Sequence, residues 1–180
     1  MTGAPGTLDL RDYIRDIPDY PKPGIVFRDV TPLFLDPAAL EHAIALLAAW
    51  ASGREVDVVV AAEARGFVLG GALAARLGAG FIPARKPGKL PREAISVEYA
   101  LEYGVDALEV HHDALSGGAR VLVHDDLIAT GGTAEALCRL VESAGAEVVG
   151  CAFLVELAAL DGRAKLGGRE VHSLVVYDSG

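Results

Sequence analysis

Several stretches of this chain are apolar nearly from end to end: residues 56–62 (VDVVVAA), 80–84 (GFIPA), 120–124 (RVLVH) and 148–157 (VVGCAFLVEL). A strand with one wet face alternates polar and apolar residues, whereas an unbroken apolar run belongs to a strand covered on both faces. Helical segments lie between these runs. Residues 66–77, rich in Gly and Ala, predict a closely packed helix, and residues 133–143 predict another, closed by Gly145. Strands alternating with helices give a parallel sheet with helices on both sides. The expected fold class is therefore α/β: a single domain, residues 1–180, with a central, mostly parallel sheet flanked by helices and an N-terminal hood or cap formed by about the first 50 residues.

The remaining segments fit around that frame. Residues 1–7 are expected to be disordered, and residues 8–16 (LDLRDYIRD) predict a short amphipathic helix. Turn signals run from Pro18 to Gly24. Asp36 suits an N-cap and Pro37 the first position of a helix reaching Ala51. Residues 86–94 combine Pro, Gly and charge and predict a mobile loop; 96–103 and 107–111 read as extended segments around a turn at Gly104, and 173–177 as a last strand.

Composition narrows the function classes. At 180 residues and 52% hydrophobic content, the chain can bury a core without disulfides or zinc. No apolar run approaches the ~18 residues of a membrane span. The N-terminal stretch lacks the basic start and apolar core of a signal peptide, so the cytoplasm is the expected compartment. Cys138 and Cys151 show no CxxC spacing and read as core residues. A net charge of −9, from 16 basic and 25 acidic residues, argues against a duplex-DNA partner. It leaves phosphate binding open, since that needs only local donors.

The segment with most chemical content is 121–133, VLVHDDLIATGGT. It offers a strand, two carboxylates, a small-residue loop and a helix start. In an open parallel sheet, ligands bind beyond the carboxyl ends of the strands. Ala129, Thr130, Gly131, Gly132 and Thr133 form a turn whose N–H groups can converge on a phosphate, aided by the helix dipole and the threonine hydroxyls. Asp125 and Asp126 would repel that phosphate, and suit ribose hydroxyls or a magnesium ion held with them. Acids at one end and a phosphate cradle at the other describe a site for ribose 5-phosphate. Neither GxxxxGK[ST] nor GxGxxG is present.

This segment resembles the signature of the type I phosphoribosyltransferases. Other pieces resemble the branch of that family that acts on adenine: DYPKPGIVFRDVTPLF (19–34), ARGF (64–67), RKPGKLP (85–91), EYALEYG (98–104) and GCAFLVEL (150–157). The resemblance implies transfer of a 5-phosphoribosyl group from phosphoribosyl pyrophosphate to adenine, giving AMP and pyrophosphate with magnesium, in a homodimer. It assigns pyrophosphate to Arg65, Arg85, Lys86 and Lys89, with Arg65 also in the catalytic set, and implies a cis peptide near Glu63-Ala64. It makes 85–104 a flexible catalytic loop in which Glu102 and Tyr103 work at the reacting centre. It places adenine in the 8–35 hood at Val26, Phe27 and Arg28, with Phe27 stacking one face and Leu157 covering the other. Taken without the resemblance, IVFRD reads as a core strand.

His124 departs from the apolar residue usual before the acid pair. One reading is a tolerated polar neighbour; the other is a histidine whose pKa the two carboxylates raise, with an unusual pH profile near neutrality. Two rivals to the main reading are a transferase for an oxopurine, which Val26–Arg28 and the 85–104 loop disfavour, and a ligand sensor without transferase activity. Such sensors carry an added DNA-binding domain, for which this acidic chain has no room.

Overall fold

The computed structural model describes residues 8–100, 104–115 and 117–178; the expectation of disorder in residues 1–7 lies outside these. In chain order the elements are β1 (Arg15–Pro18), β2 (Val26–Asp29), α1 (Thr31–Leu35), α2 (Pro37–Ala51), β3 (Val58–Ala62), α3 (Gly66–Leu77), β4 (Gly80–Ala84), β5 (Ala94–Ala100), β6 (Val105–His111), β7 (Arg120–Ile128), α4 (Gly132–Ser143), β8 (Glu147–Leu157) and β9 (Val171–Tyr177). A 3-10 turn over Leu10–Tyr13 precedes β1, and two more link β8 to β9.

The central sheet has five strands in the order β4-β3-β7-β8-β9, and every neighbouring pair is parallel. The unbroken apolar runs are its strands, and their two faces bury into two different layers. Val121 and Val123 of β7 pack with Leu137, Leu140 and Val141 of α4, while Leu122 between them packs with Leu47 of α2 and Leu69 and Leu73 of α3. The α2 start follows its sequence signal, with the Asp36 carboxylate accepting from the N–H groups of Ala38 and Ala39 at 2.9 Å.

Three expectations need correction. The amphipathic helix over 8–16 is instead a single 3-10 turn running into β1, because Arg15–Pro18 finds an antiparallel partner in β2. The cap is narrower than the first 50 residues, because α2 belongs to the core of the central sheet; only the β1–β2 hairpin stands as a separate small sheet. Finally, β7 does not end at His124 but continues through both aspartates to Ile128, in register with β8. The described residues of the 85–104 region are largely built into structure: β5 and β6 pair as a hairpin, and Arg85 bridges to Glu109.

Candidate active site

The chain runs from β3 to β4 on one side, then returns through β7 on the other side of β3. That reversal leaves a crevice beyond the carboxyl ends of β3 and β7, where ligands of open α/β sheets bind. Both predicted ligand segments open there. A cleft at this point is lined by Glu63–Arg65, by Lys86, Tyr99 and Leu108, and by residues 125–134.

On the β7 side, Gly131 precedes α4 in the left-handed region, at φ 80°, which favours glycine. No side chain caps α4, so its first-turn N–H groups face the cleft without an internal acceptor. Ala129, Thr130, Gly131, Gly132 and Thr133 all line the cleft, as the sequence predicts.

The acid pair sits deeper in the same cleft. Asp126 is buried, and its N–H donates to Asp125 Oδ1 at 2.9 Å. The Asp125 carboxylate is shut in against α3: a Cβ at Gly66 would lie 2.7 Å from Asp125 Oδ1, so only glycine lets the helix approach this closely. Burial, then the neighbouring Asp126 charge, raises the Asp125 pKa well above the usual carboxylate range. Burial also raises Asp126, against the opposing pull of Arg65, whose Nε lies 3.0 Å from Asp126 Oδ2.

On the β3 side, the turn carries a cis peptide at Glu63-Ala64, where the resemblance implied one. Arg65 does more than reach Asp126. Its guanidinium lies over the ring of Phe27, 5.2 Å from the centroid, so one residue links the acid pair to the hood. Two of the other three predicted cations are also held by carboxylates: Arg85 by Glu63, and Lys86 by Asp106. Burial works to lower the Lys86 pKa, but hydrogen bonds to Asp106 and Tyr99 outweigh it and the net direction is up. Lys86 lines the cleft, whereas Arg85 and Lys89 do not. Glu102 and Tyr103 lie outside the described residues.

The hood strand meets the end of the central sheet. Arg28 is buried, paired with Asp16 and stacked over Tyr177 at 4.0 Å; Tyr177 is the register partner of Leu157. Val26 and Phe27 pair with Pro18 and Ile17 in the hairpin. The residues predicted to hold the base thus are not part of the cleft's lining; Phe27 is joined to it through Arg65.

His124 is a correction. It is fully buried, burial lowers its pKa to about 4, and a hydrogen bond between Nδ1 and the Ala152 carbonyl at 2.8 Å opposes that only in part. Of the two readings, the raised pKa does not occur: burial and the Ala152 carbonyl are the influences on the ring, and neither carboxylate is among them. Sequence reasoning missed Glu63, Tyr99 and Asp106. Glu63 stands next to a recognised motif and Tyr99 inside one, though neither was assigned a contact with a cation; Asp106 is placed only by hairpin pairing.

A cleft with a glycine loop at a helix start, an acid pair and neighbouring cations at the switch point is the pattern of a class of protein, the phosphoribosyltransferases. Residues 34–178 match the family model described as phosphoribosyl transferase domain, and the chain belongs to that family. Within it, the chain is similar to the adenine phosphoribosyltransferase of Methylococcus capsulatus, 60% identical over 168 residues that cover 93% of this chain and 98% of that one. The crystal structure of adenine phosphoribosyltransferase from Thermoanaerobacter pseudethanolicus superposes with a TM-score of 0.91 at 52% identity, covering 93% of this chain and 98% of that chain. The Saccharomyces cerevisiae enzyme of the same name, solved with a dideoxy-imino-altritol bisphosphate and adenine, gives 0.86 at 39% identity over 92% and 96% of the two chains.

Proposed function

We propose that this chain transfers the 5-phosphoribosyl group of phosphoribosyl pyrophosphate to N9 of adenine, forming AMP and releasing pyrophosphate in purine salvage. The observation that carries the reading is the pairing, in one cleft, of an uncapped helix start behind Gly131 with the Asp125–Asp126 carboxylates. The loop 129–133 supplies N–H groups and the Thr130 and Thr133 hydroxyls to the 5-phosphate. Asp125 and Asp126 accept from the ribose hydroxyls, and the sugar is then held at both ends.

Arg65 and Lys86, with Arg85 behind them, exchange their carboxylate partners for pyrophosphate oxygens, and Lys89 adds its charge. When Arg65 turns to the pyrophosphate it leaves both Asp126 and the Phe27 ring, which frees one partner for ribose and one face for adenine. Phe27 and Leu157 enclose the base, and backbone groups of Val26 and Arg28 offer an acceptor to its exocyclic amine and a donor to N1. An oxopurine presents the reverse pattern and leaves both groups unpaired. In the reaction the N9–C1 bond forms, the C1–oxygen bond to pyrophosphate breaks, and the N9 proton leaves. Glu102 is the residue assigned to that proton or to the charge on the sugar, with Tyr103 beside it.

Magnesium fits the residues present. Asp126 Oδ2 is buried and engaged only by the Arg65 ion pair at 3.0 Å, so it becomes available once Arg65 turns to the pyrophosphate, and carboxylate oxygens are the ligands magnesium prefers. No group of three or more metal-ligating side chains occurs among the described residues. When bound, it neutralises charge on the leaving pyrophosphate.

A homodimer in the cytoplasm completes the reading. No helix among the described residues is long and apolar enough to cross a membrane. The test is stoichiometry. With magnesium and the donor, adenine should yield AMP and pyrophosphate in equal amounts, and pyrophosphate release without adenine at the same rate would refute transfer.

A further inference from the structure

The turn that follows β8 holds residues the chemistry above does not use, yet it touches the phosphate loop. Residues Gly162–Leu166 form a 3-10 turn against the segment after β7. A Cβ added at Gly131 would overlap the carbonyl oxygen of Gly162. One added at Gly162 would overlap the carbonyl oxygen of Ala129 and lie 3.0 Å from the Gly131 nitrogen. The two backbones are therefore in direct contact, with no room for a side chain between them.

The turn is fixed by anchors that do not involve the loop. At its far end Leu166 is fully buried in the core on the α4 side. At its near end Arg163 forks onto Glu156, Nε to Oε1 and Nη2 to Oε2, both at 2.6 Å, and Nη1 donates to the Val171 carbonyl at 3.1 Å. A fork of this kind fixes orientation as well as distance. Glu156 is buried near the end of β8, and hydrogen bonding from Arg163 holds its carboxyl below the usual range despite that burial.

The geometry points to Gly162, backed by the Arg163–Glu156 fork, as the positioning residue that keeps the 129–133 loop in its phosphate-binding shape. This rests on the loop being the 5-phosphate site. N–H groups bind an anion strongly only when they converge, and a loop hinged on left-handed Gly131 has freedom to open. Gly162 presses on it from the outside, at the Ala129 carbonyl and beside the Gly131 nitrogen, and removes that freedom. An added methyl at 162 cannot be absorbed by the turn, which Leu166 and the fork hold, so the loop must give way.

The consequence is selective. Ligands that carry a 5-phosphate depend on the brace; pyrophosphate alone, bound through Arg65 and Lys86 across the cleft, does not. Two variants read this by calorimetry with ribose 5-phosphate and with magnesium pyrophosphate as probes. Gly162→Ala should weaken ribose 5-phosphate about tenfold or more, a loss in keeping with loop displacement on the order of an ångström. Pyrophosphate affinity should be unchanged. Arg163→Lys keeps the charge, loses the fork and should weaken ribose 5-phosphate to a smaller degree; if Gly162→Ala does not fold, this variant carries the test alone. Unchanged ribose 5-phosphate affinity in the folded variants, or an equal loss for both probes, overturns the brace. Failure of the unaltered protein to bind ribose 5-phosphate would instead remove the loop assignment itself, and the brace with it.

Discussion

Replacing His124 with valine should make the protein more resistant to acid, by an amount set by burial. His124 is fully buried and its pKa is about 4 in the folded chain, against an ordinary value of 6.5. It binds its proton more weakly folded than unfolded, so acid favours the unfolded chain. The stability concerned is fully present above the unfolded value and is lost as pH falls from 6.5 towards 4. At about 1.4 kcal/mol per pKa unit, going from about pH 7.5 to about pH 4.5 removes roughly 2–3 kcal/mol through this residue. For a chain of this size that is a difference of roughly 5–10 °C in Tm. The assay is urea or thermal unfolding of ligand-free, EDTA-treated protein at the two pH values. Other groups also titrate there: Asp125 and Asp126, raised by burial, work in the opposite direction, and Glu156, lowered by Arg163, works in the same one. They are common to both proteins and cancel in the comparison. An equal acid-induced loss in wild type and His124→Val would refute the argument. Near neutrality the two activity profiles should coincide, because His124 stays neutral there.

Other outcomes follow from the same geometry. Glu102→Gln should lower kcat far more than it raises either KM, and wild-type turnover would remove Glu102 from the reacting centre. Lys86→Met should weaken donor and pyrophosphate in calorimetry while leaving ribose 5-phosphate binding intact, since Lys86 lines only the cleft wall opposite the 129–133 loop. Phe153→Ala, which empties the largest fully buried side chain of β8, should cost about 3–5 kcal/mol in urea unfolding.

Most of the sheet was legible because its signal is local. Gly66–Leu77 and Gly80–Ala84 occupy the predicted bounds, as helix and strand periodicity and the αL glycine at 78 punctuate them within a few residues. The signature was legible for another reason: its chemistry is contiguous, and the same residues that bind also form the turn. The failures come from partners distant in sequence. Arg15 and Asp16 read as the end of a helix, and Pro18 as the start of a turn, until β2 is beside them. The reading that ended β7 before Asp125 missed that Phe153 and Val155 of β8 continue the ladder past the acids. His124 was judged by its neighbours along the chain, whereas its surroundings come from β8 and α3 across the fold: the Ala152 carbonyl, and Gly70 against its ring. The Arg65–Phe27 contact and the meeting of Gly162 with the phosphate loop leave no local trace at all, because each joins segments brought together only by the sheet order.

The central claim is that the site recognises adenine, and a base panel tests it most directly. Purified protein is mixed with magnesium and phosphoribosyl pyrophosphate, adenine, hypoxanthine, guanine and xanthine are offered separately, and nucleotide is measured. Backbone pairing at Val26 and Arg28 predicts AMP from adenine and roughly hundredfold less product, or still less, from each oxopurine. Comparable nucleotide formation from an oxopurine would contradict the account of the base site while leaving the phosphate cradle standing.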